Sequence, residues 1–133
     1  MKAVKAVRAK YGNAEQLTDE QVREAATTIL EDLHADLRED EKYPLPVVTL
    51  LKKNGFKLYR AEFRNPKQAG LLVVDSALPE KMRTTTDRAV FVNRDDPVPR
   101  QRQTIAKLFA HYIFDFDEKR KPVYYKKIWR EAI

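Results

Sequence analysis

The chain has 133 residues, of which 43% are hydrophobic and 35% charged, and it contains no cysteine. This length suits one domain over residues 1–133, and the lack of cysteine excludes both a disulfide framework and a thiolate metal site. The basic N-terminal segment 1–16 has no apolar stretch of the kind found in signal peptides. We therefore expect a cytoplasmic protein with no membrane association.

The formal net charge of +6 is concentrated at the two ends of the chain. Four basic residues lie within the first ten positions, and the tail 119–133 carries six basic residues against one glutamate. The middle of the chain is therefore mildly acidic. A nucleic-acid groove requires clustered positive charge, which this chain has only if the fold brings its two ends together.

Helical spacing of apolar residues is clear in the first third of the chain. Residues 1–10 predict a short basic helix, and a longer one runs from Thr18 to Arg38, with Thr18 and Gln21 as a capping-box pair. Spacings of three and four predict one buried stripe on the longer helix, formed by Val22, Ala26, Ile29, Leu33 and Leu37. A short helix over 47–53 follows, bounded by Pro46 and by Asn54-Gly55.

Strand patterns occupy the middle of the chain. Residues 56–63, 70–74 and 89–93 predict three strands, and a second long helix then runs from about 97 to Phe116. Helices grouped before and after the strands favour an α+β fold over a βαβ alternation. The tail 119–133 is basic and aromatic, and its pattern is too short to predict an element.

The segment from Asn93 to Phe116 carries a family resemblance. A valine-asparagine pair ends the preceding strand, prolines and arginines open the helix, and Ala106 and the run 111–114 (His-Tyr-Ile-Phe) follow. In this order the segment resembles the ImmA/IrrE family of zinc metallo-endopeptidases. The resemblance spans about residues 43–118 and implies a small zincin-like domain, with helices packed on a short, three-stranded, mostly antiparallel sheet.

The departures from that family's H-E-x-x-H motif bear directly on activity. Histidines four apart on a helix converge on one zinc ion, and the glutamate serves as general base. Here the same positions read Lys107-Leu108-Phe109-Ala110-His111, so only the second histidine remains. A lysine repels a divalent cation and a leucine exchanges no proton. We therefore expect no catalytic residue, no metal and no cofactor.

The resemblance implies a setting in which family members act on or beside helix-turn-helix repressors, in mobile elements, stress responses and toxin–antitoxin pairs. Our first hypothesis is thus a catalytically inactive, metallopeptidase-like protein that binds another protein, such as a repressor or toxin. The family's peptide cleft would place Val92, Asn93 and Tyr112 beside Lys107 and His111, with pairing to strand 89–93 as one binding mode.

Two alternatives stay open. The first is nucleic-acid binding, in which aromatic side chains stack on bases and basic ones contact phosphates; the residues concerned are Lys119, Arg120, Lys121, Tyr124, Tyr125, Lys126, Lys127, Trp129 and Arg130. Those aromatics would instead close the core if the tail is structural. The second is a residual metallo-hydrolase that uses a site the sequence does not identify. His34 and His111 are the only two histidines, and isolated histidines are more often packing or surface residues than metal ligands.

Overall fold

A computed structural model describes residues 1–12, 17–35, 37–41, 46–74, 78, 80–83, 86–114, 116 and 124–129. Within these ranges the chain forms five α-helices, one short 3-10 helix and one four-stranded sheet. Their bounds, in chain order, are α1 Lys2–Tyr11, α2 Asp19–Ala35, the 3-10 helix Glu39–Glu41, α3 Val47–Lys53, β1 Lys57–Ala61, β2 Gln68–Val74, α4 Glu80–Arg83, β3 Arg88–Asn93, α5 Val98–Phe114 and β4 Tyr124–Trp129. No helix in the described ranges is long and apolar enough to cross a bilayer.

The sheet is mixed and has the strand order β1-β3-β2-β4. β3 runs parallel to β1 and antiparallel to β2, and β4 runs antiparallel to β2 at one edge. The predicted α+β class is confirmed. The predicted strand number is wrong, because the tail supplies a fourth strand through pairing that its own pattern does not reveal. Pairing of a ligand strand to residues 89–93 is also wrong, because β3 has a neighbour on each side.

The start of α2 follows its sequence pattern closely. The Thr18 hydroxyl accepts a hydrogen bond from the Gln21 N–H at 3.1 Å, and the Gln21 side chain accepts one from the Thr18 N–H at 2.9 Å. This reciprocal pair is the predicted capping box. The predicted buried stripe is only half correct, since Ile29 and Leu33 are buried whereas Val22 and Ala26 are exposed.

Helix α5 lies against one face of the sheet, and the main core forms between them. Leu72 of β2, Val90 of β3 and Leu108 of α5 are completely buried in it. The closest approach is at Gly70, where an added Cβ would overlap the Thr104 methyl group of α5. α1 and α3 also contact α5, and α3 contacts β1 as well.

The opposite face of the sheet has a smaller apolar cluster. Val73, Ala89 and Leu78 are buried there. Tyr59, Leu71 and Phe91 pack against this cluster but remain half-buried. Successive strand residues alternate between faces, so these side chains point away from α5.

Candidate functional site

Helix α5 carries Lys107, Leu108 and His111, which the predicted resemblance aligns with the zinc motif, and the three side chains differ sharply in environment. Lys107 is exposed, Leu108 is completely buried in the main core, and His111 is half-buried in the last turn. A carboxylate in place of Leu108 would sit among apolar side chains with no solvent. The leucine is therefore part of the packing between α5 and the sheet.

The three predicted cleft residues are all buried, with exposures of 0% for Val92 and 3% for both Asn93 and Tyr112. The Asn93 amide donates to the Gln68 carbonyl at 3.1 Å, and its side-chain oxygen accepts from the Asp95 N–H at 2.9 Å. These bonds fix the turn that leads from β3 into α5. A binding partner would reach this region only through exposed neighbours.

Tyr112 joins three elements through its phenol oxygen. That oxygen accepts hydrogen bonds from Arg8 Nη1 at 2.9 Å and from Arg88 Nη1 at 2.7 Å. The Arg8 guanidinium also lies 4.2 Å from the Tyr112 ring centroid, a cation–π distance. The hydrogen bond from Arg88 holds the pKa of Asp87 below its ordinary value. Tyr112 therefore ties α1 and β3 to α5.

An apolar groove lies between α2, α3 and α5. Its volume is about 250 Å³, and its twelve lining residues are all apolar: Val22, Ala25, Ala26, Ile29, Val47, Leu50, Ile105, Ala106, Phe109, Ala110, Ile113 and Phe114. We call this surface the α2–α5 groove. It was not predicted from the sequence.

Small side chains create the α2–α5 groove. Ala25 and Ala26 face it from α2, and Ala106 and Ala110 face it from α5. Alanine is too short to fill the space between two helices, so the groove remains open. Val22 at its rim is 42% exposed, and Ala26, which also belongs to the stripe predicted to be buried, is exposed as well. The only sequence signal for this groove was the presence of alanines at apolar positions of both helices.

Part of the predicted nucleic-acid surface forms β4. Trp129 is 48% exposed, and the Lys127 Nζ lies 5.8 Å from its ring centroid. Trp129 therefore does not close the core. Tyr124 and Tyr125 belong to β4 by their backbone, and Lys126 is half-buried. Lys119, Arg120, Lys121 and Arg130 lie outside the described residues.

A small pocket lies where β4 meets α5. It has a volume of about 90 Å³ and is lined by Ala69, Arg100, Gln103, Thr104, Lys107, Ile128 and Trp129. Its lining includes two cations and no carboxylate. Lys107 thus shares a pocket with Trp129, a proximity that the sequence alone does not suggest.

Both histidines lie near helix ends. His34 is in the last turn of α2 and His111 is in that of α5, and both are half-buried. Within the described parts of the chain, no three His, Asp or Glu side chains gather as metal ligands would.

The chain matches no known family model, and it shows no significant similarity to a curated protein or to a solved structure. The ImmA/IrrE resemblance therefore depends on residues 93–116 and stays a prediction.

Proposed function

We propose that this protein is a non-catalytic binding protein that takes an apolar helix of a partner protein into the α2–α5 groove. The observation that carries the proposal is the groove itself, which is open and lined only by apolar side chains. Exposed apolar surface of this kind typically marks an interaction site in a water-soluble domain.

The dimensions of the groove favour a helix as the occupant. Its α2 side extends from Val22 to Ile29, and seven residues of helix span about 10 Å. A partner helix covers that length with apolar side chains at positions i, i+3 or i+4, and i+7, as in other helix-in-groove interactions. The alanines allow the partner backbone to approach closely.

The proposal that the protein is non-catalytic depends on two side chains of α5. Lys107 is an exposed cation where the family has a zinc ligand, and Leu108 is buried where it has its general base. By the resemblance, the partner is a regulatory protein such as a helix-turn-helix repressor or a toxin. Stoichiometric zinc in the purified native protein would contradict this part of the proposal.

Two neighbouring positions on α2 provide a matched test of the groove. Ala26 lines it, whereas the adjacent Thr27 is exposed and does not. A photo-crosslinking amino acid at position 26 should form an adduct with a protein in the native host, and one at position 27 should not. Mapping the crosslinked peptide should identify an amphipathic helix.

A second pair of variants tests which part of α5 is used. Ala110→Glu places a charge in the groove at an exposed helical position, so it should abolish the adduct without unfolding the protein. Lys107→Glu lies outside the groove and should leave the adduct intact. The proposal is wrong if position 27 crosslinks as well as 26, or if only Lys107→Glu removes the adduct.

A further inference from the structure

A surface unrelated to the α2–α5 groove lies on the other side of the sheet. One row of side chains crosses all four strands there, since Tyr59 pairs with Phe91, Phe91 with Leu71, and Leu71 with Lys127. Trp129 lies two residues beyond Lys127 on β4. We call these five residues the open sheet face.

The open sheet face presents aromatic rings to solvent. The Tyr59 and Phe91 rings are stacked, with centroids 5.2 Å apart and an interplanar angle of 21°, and both are half-buried. Trp129 is 48% exposed. With strands spaced about 4.8 Å apart and about 3.4 Å per residue, Trp129 lies roughly 12 Å from Phe91 across the sheet. Two separate bases can therefore stack on this face.

The charge of the sheet is entirely positive. None of the four strands contains Asp or Glu, whereas together they contain Lys57, Arg60, Arg88, Lys126 and Lys127. By strand alternation Lys57 and Lys127 lie on the open side of the sheet. Arg60 and Arg88 lie on the α5 side, where they bond Gln101 and Tyr112. Aromatic rings beside basic side chains complement a polyanion that carries planar rings.

Because β4 is an edge strand, Trp129 also borders a pocket on the α5 side of the sheet. Arg100 and Lys107 line it together with Trp129, and the Lys127 Nζ lies 5.8 Å from the same ring centroid. Two cations of α5 thus share a pocket with the exposed indole, and a third lies beside its ring. Phosphate groups on both sides of a stacked base would each meet a basic side chain.

From this arrangement we propose that Trp129 and the open sheet face bind single-stranded nucleic acid. Bases stack on Trp129 and on the Tyr59–Phe91 pair, and Arg100, Lys107 and Lys127 contact the phosphates. Paired bases keep their ring faces inside the duplex, so a double strand of the same length should bind more weakly. This site does not depend on the proposed groove function.

The chain provides its own probe, because Trp129 is its only tryptophan. Adding a twelve-nucleotide single strand, as oligo(dT) or oligo(U), should quench the Trp129 emission and raise the anisotropy of a labelled strand. The logarithm of the affinity should fall linearly with the logarithm of salt concentration, with a slope of about −0.7 for each phosphate neutralised. Unchanged emission at saturating oligonucleotide would overturn the proposal.

Variants separate stacking from charge. Trp129→Ala should weaken binding by at least about 5-fold, the lower end of the range for one stacked base. Arg100→Gln should reduce the magnitude of the salt slope, whereas Arg23→Gln, an equally exposed arginine on α2, should not. Tyr59→Leu keeps the apolar packing while removing one stacking ring, and it should also weaken binding.

Other occupants give different results. If a second copy of the chain covers this face, the native protein should sediment as a dimer that Trp129→Ala dissociates, with no quenching by oligonucleotide. That outcome, or equal affinity for single and double strands, contradicts the proposal.

Discussion

The contact between α5 and β2 at Gly70 allows a prediction whose sign is decided by geometry. A glycine inside a strand normally destabilises it by about 0.5–1 kcal/mol relative to alanine, because it has more conformational freedom to lose. If the site had room for a methyl group, Gly70→Ala would therefore stabilise the fold. Instead, the new Cβ would overlap the Thr104 methyl group and lie 3.1 Å from Leu108 Cδ1 and from the Phe91 carbonyl oxygen.

Overpacking of this kind costs about 1–3 kcal/mol. After the backbone gain is subtracted, we expect Gly70→Ala to lower the free energy of unfolding by about 1–2 kcal/mol. Thr104→Ser removes the obstructing methyl group and by itself costs about 0.8 kcal/mol for the lost apolar contact. The double variant should cost less than the sum of the two single variants, because the overlap is gone.

Urea unfolding, followed by circular dichroism, gives the free energy of unfolding of the native protein, the two single variants and the double variant. With a slope of about 1–3 kcal/mol per molar, the Gly70→Ala midpoint should fall by roughly 0.3–2 M. The reasoning is refuted if Gly70→Ala is as stable as the native protein or more so. It is refuted equally if the two substitutions are additive, because residues in contact should couple.

Four further predictions use the same measurement. Tyr112→Phe should lower the free energy of unfolding by about 1–3 kcal/mol, because two guanidinium groups lose their acceptor while the ring stays. A smaller loss would show that water replaces the phenol oxygen as the acceptor. Thr18→Ala should cost about 1 kcal/mol through loss of the capping box, and an unchanged midpoint would contradict this. Leu108→Glu should cost about 3–5 kcal/mol by burying an unpaired charge, whereas Lys107→His, at an exposed position, should be tolerated. A stable Leu108→Glu protein would contradict the packing of α5. Hydrogen bonds from a lysine and a tyrosine of α1 lower the pKa of Glu24, so its contribution is present above its unfolded-state pKa and is lost as pH falls through the folded-state value. Glu24→Gln should therefore flatten the acidic limb of the stability profile, and an unaltered limb would count against the pairing.

Local signals predicted most of the elements. The capping box set the start of α2, and Pro46 with Asn54 bounded α3 at the predicted residues. These features depend on neighbours a few residues apart. β4 was missed because its six residues include two adjacent lysines and become a strand only by pairing with β2, more than 50 residues earlier. The insertion of β3 between β1 and β2 likewise depends on contacts that no local pattern encodes.

The candidate site was predictable only in part. The sequence predicted that Leu108 lies on a long helix, and the structure places it there, completely buried in the main core. The sequence did not indicate the α2–α5 groove, because alanines at apolar helical positions are predicted to be buried whether or not another helix covers them. Val22 and Ala26 show this directly, since they follow the buried pattern yet are exposed.

The position of β4 also has a consequence for biosynthesis. Six of the seven residues of β2 are buried, so β2 is among the most apolar segments of the chain, and β4 satisfies the hydrogen-bonding groups along one of its sides. Until residues 124–129 leave the ribosome, that side of β2 stays unpaired, and unpaired apolar edges recruit other chains. A polypeptide truncated just before Tyr124 should therefore accumulate in inclusion bodies.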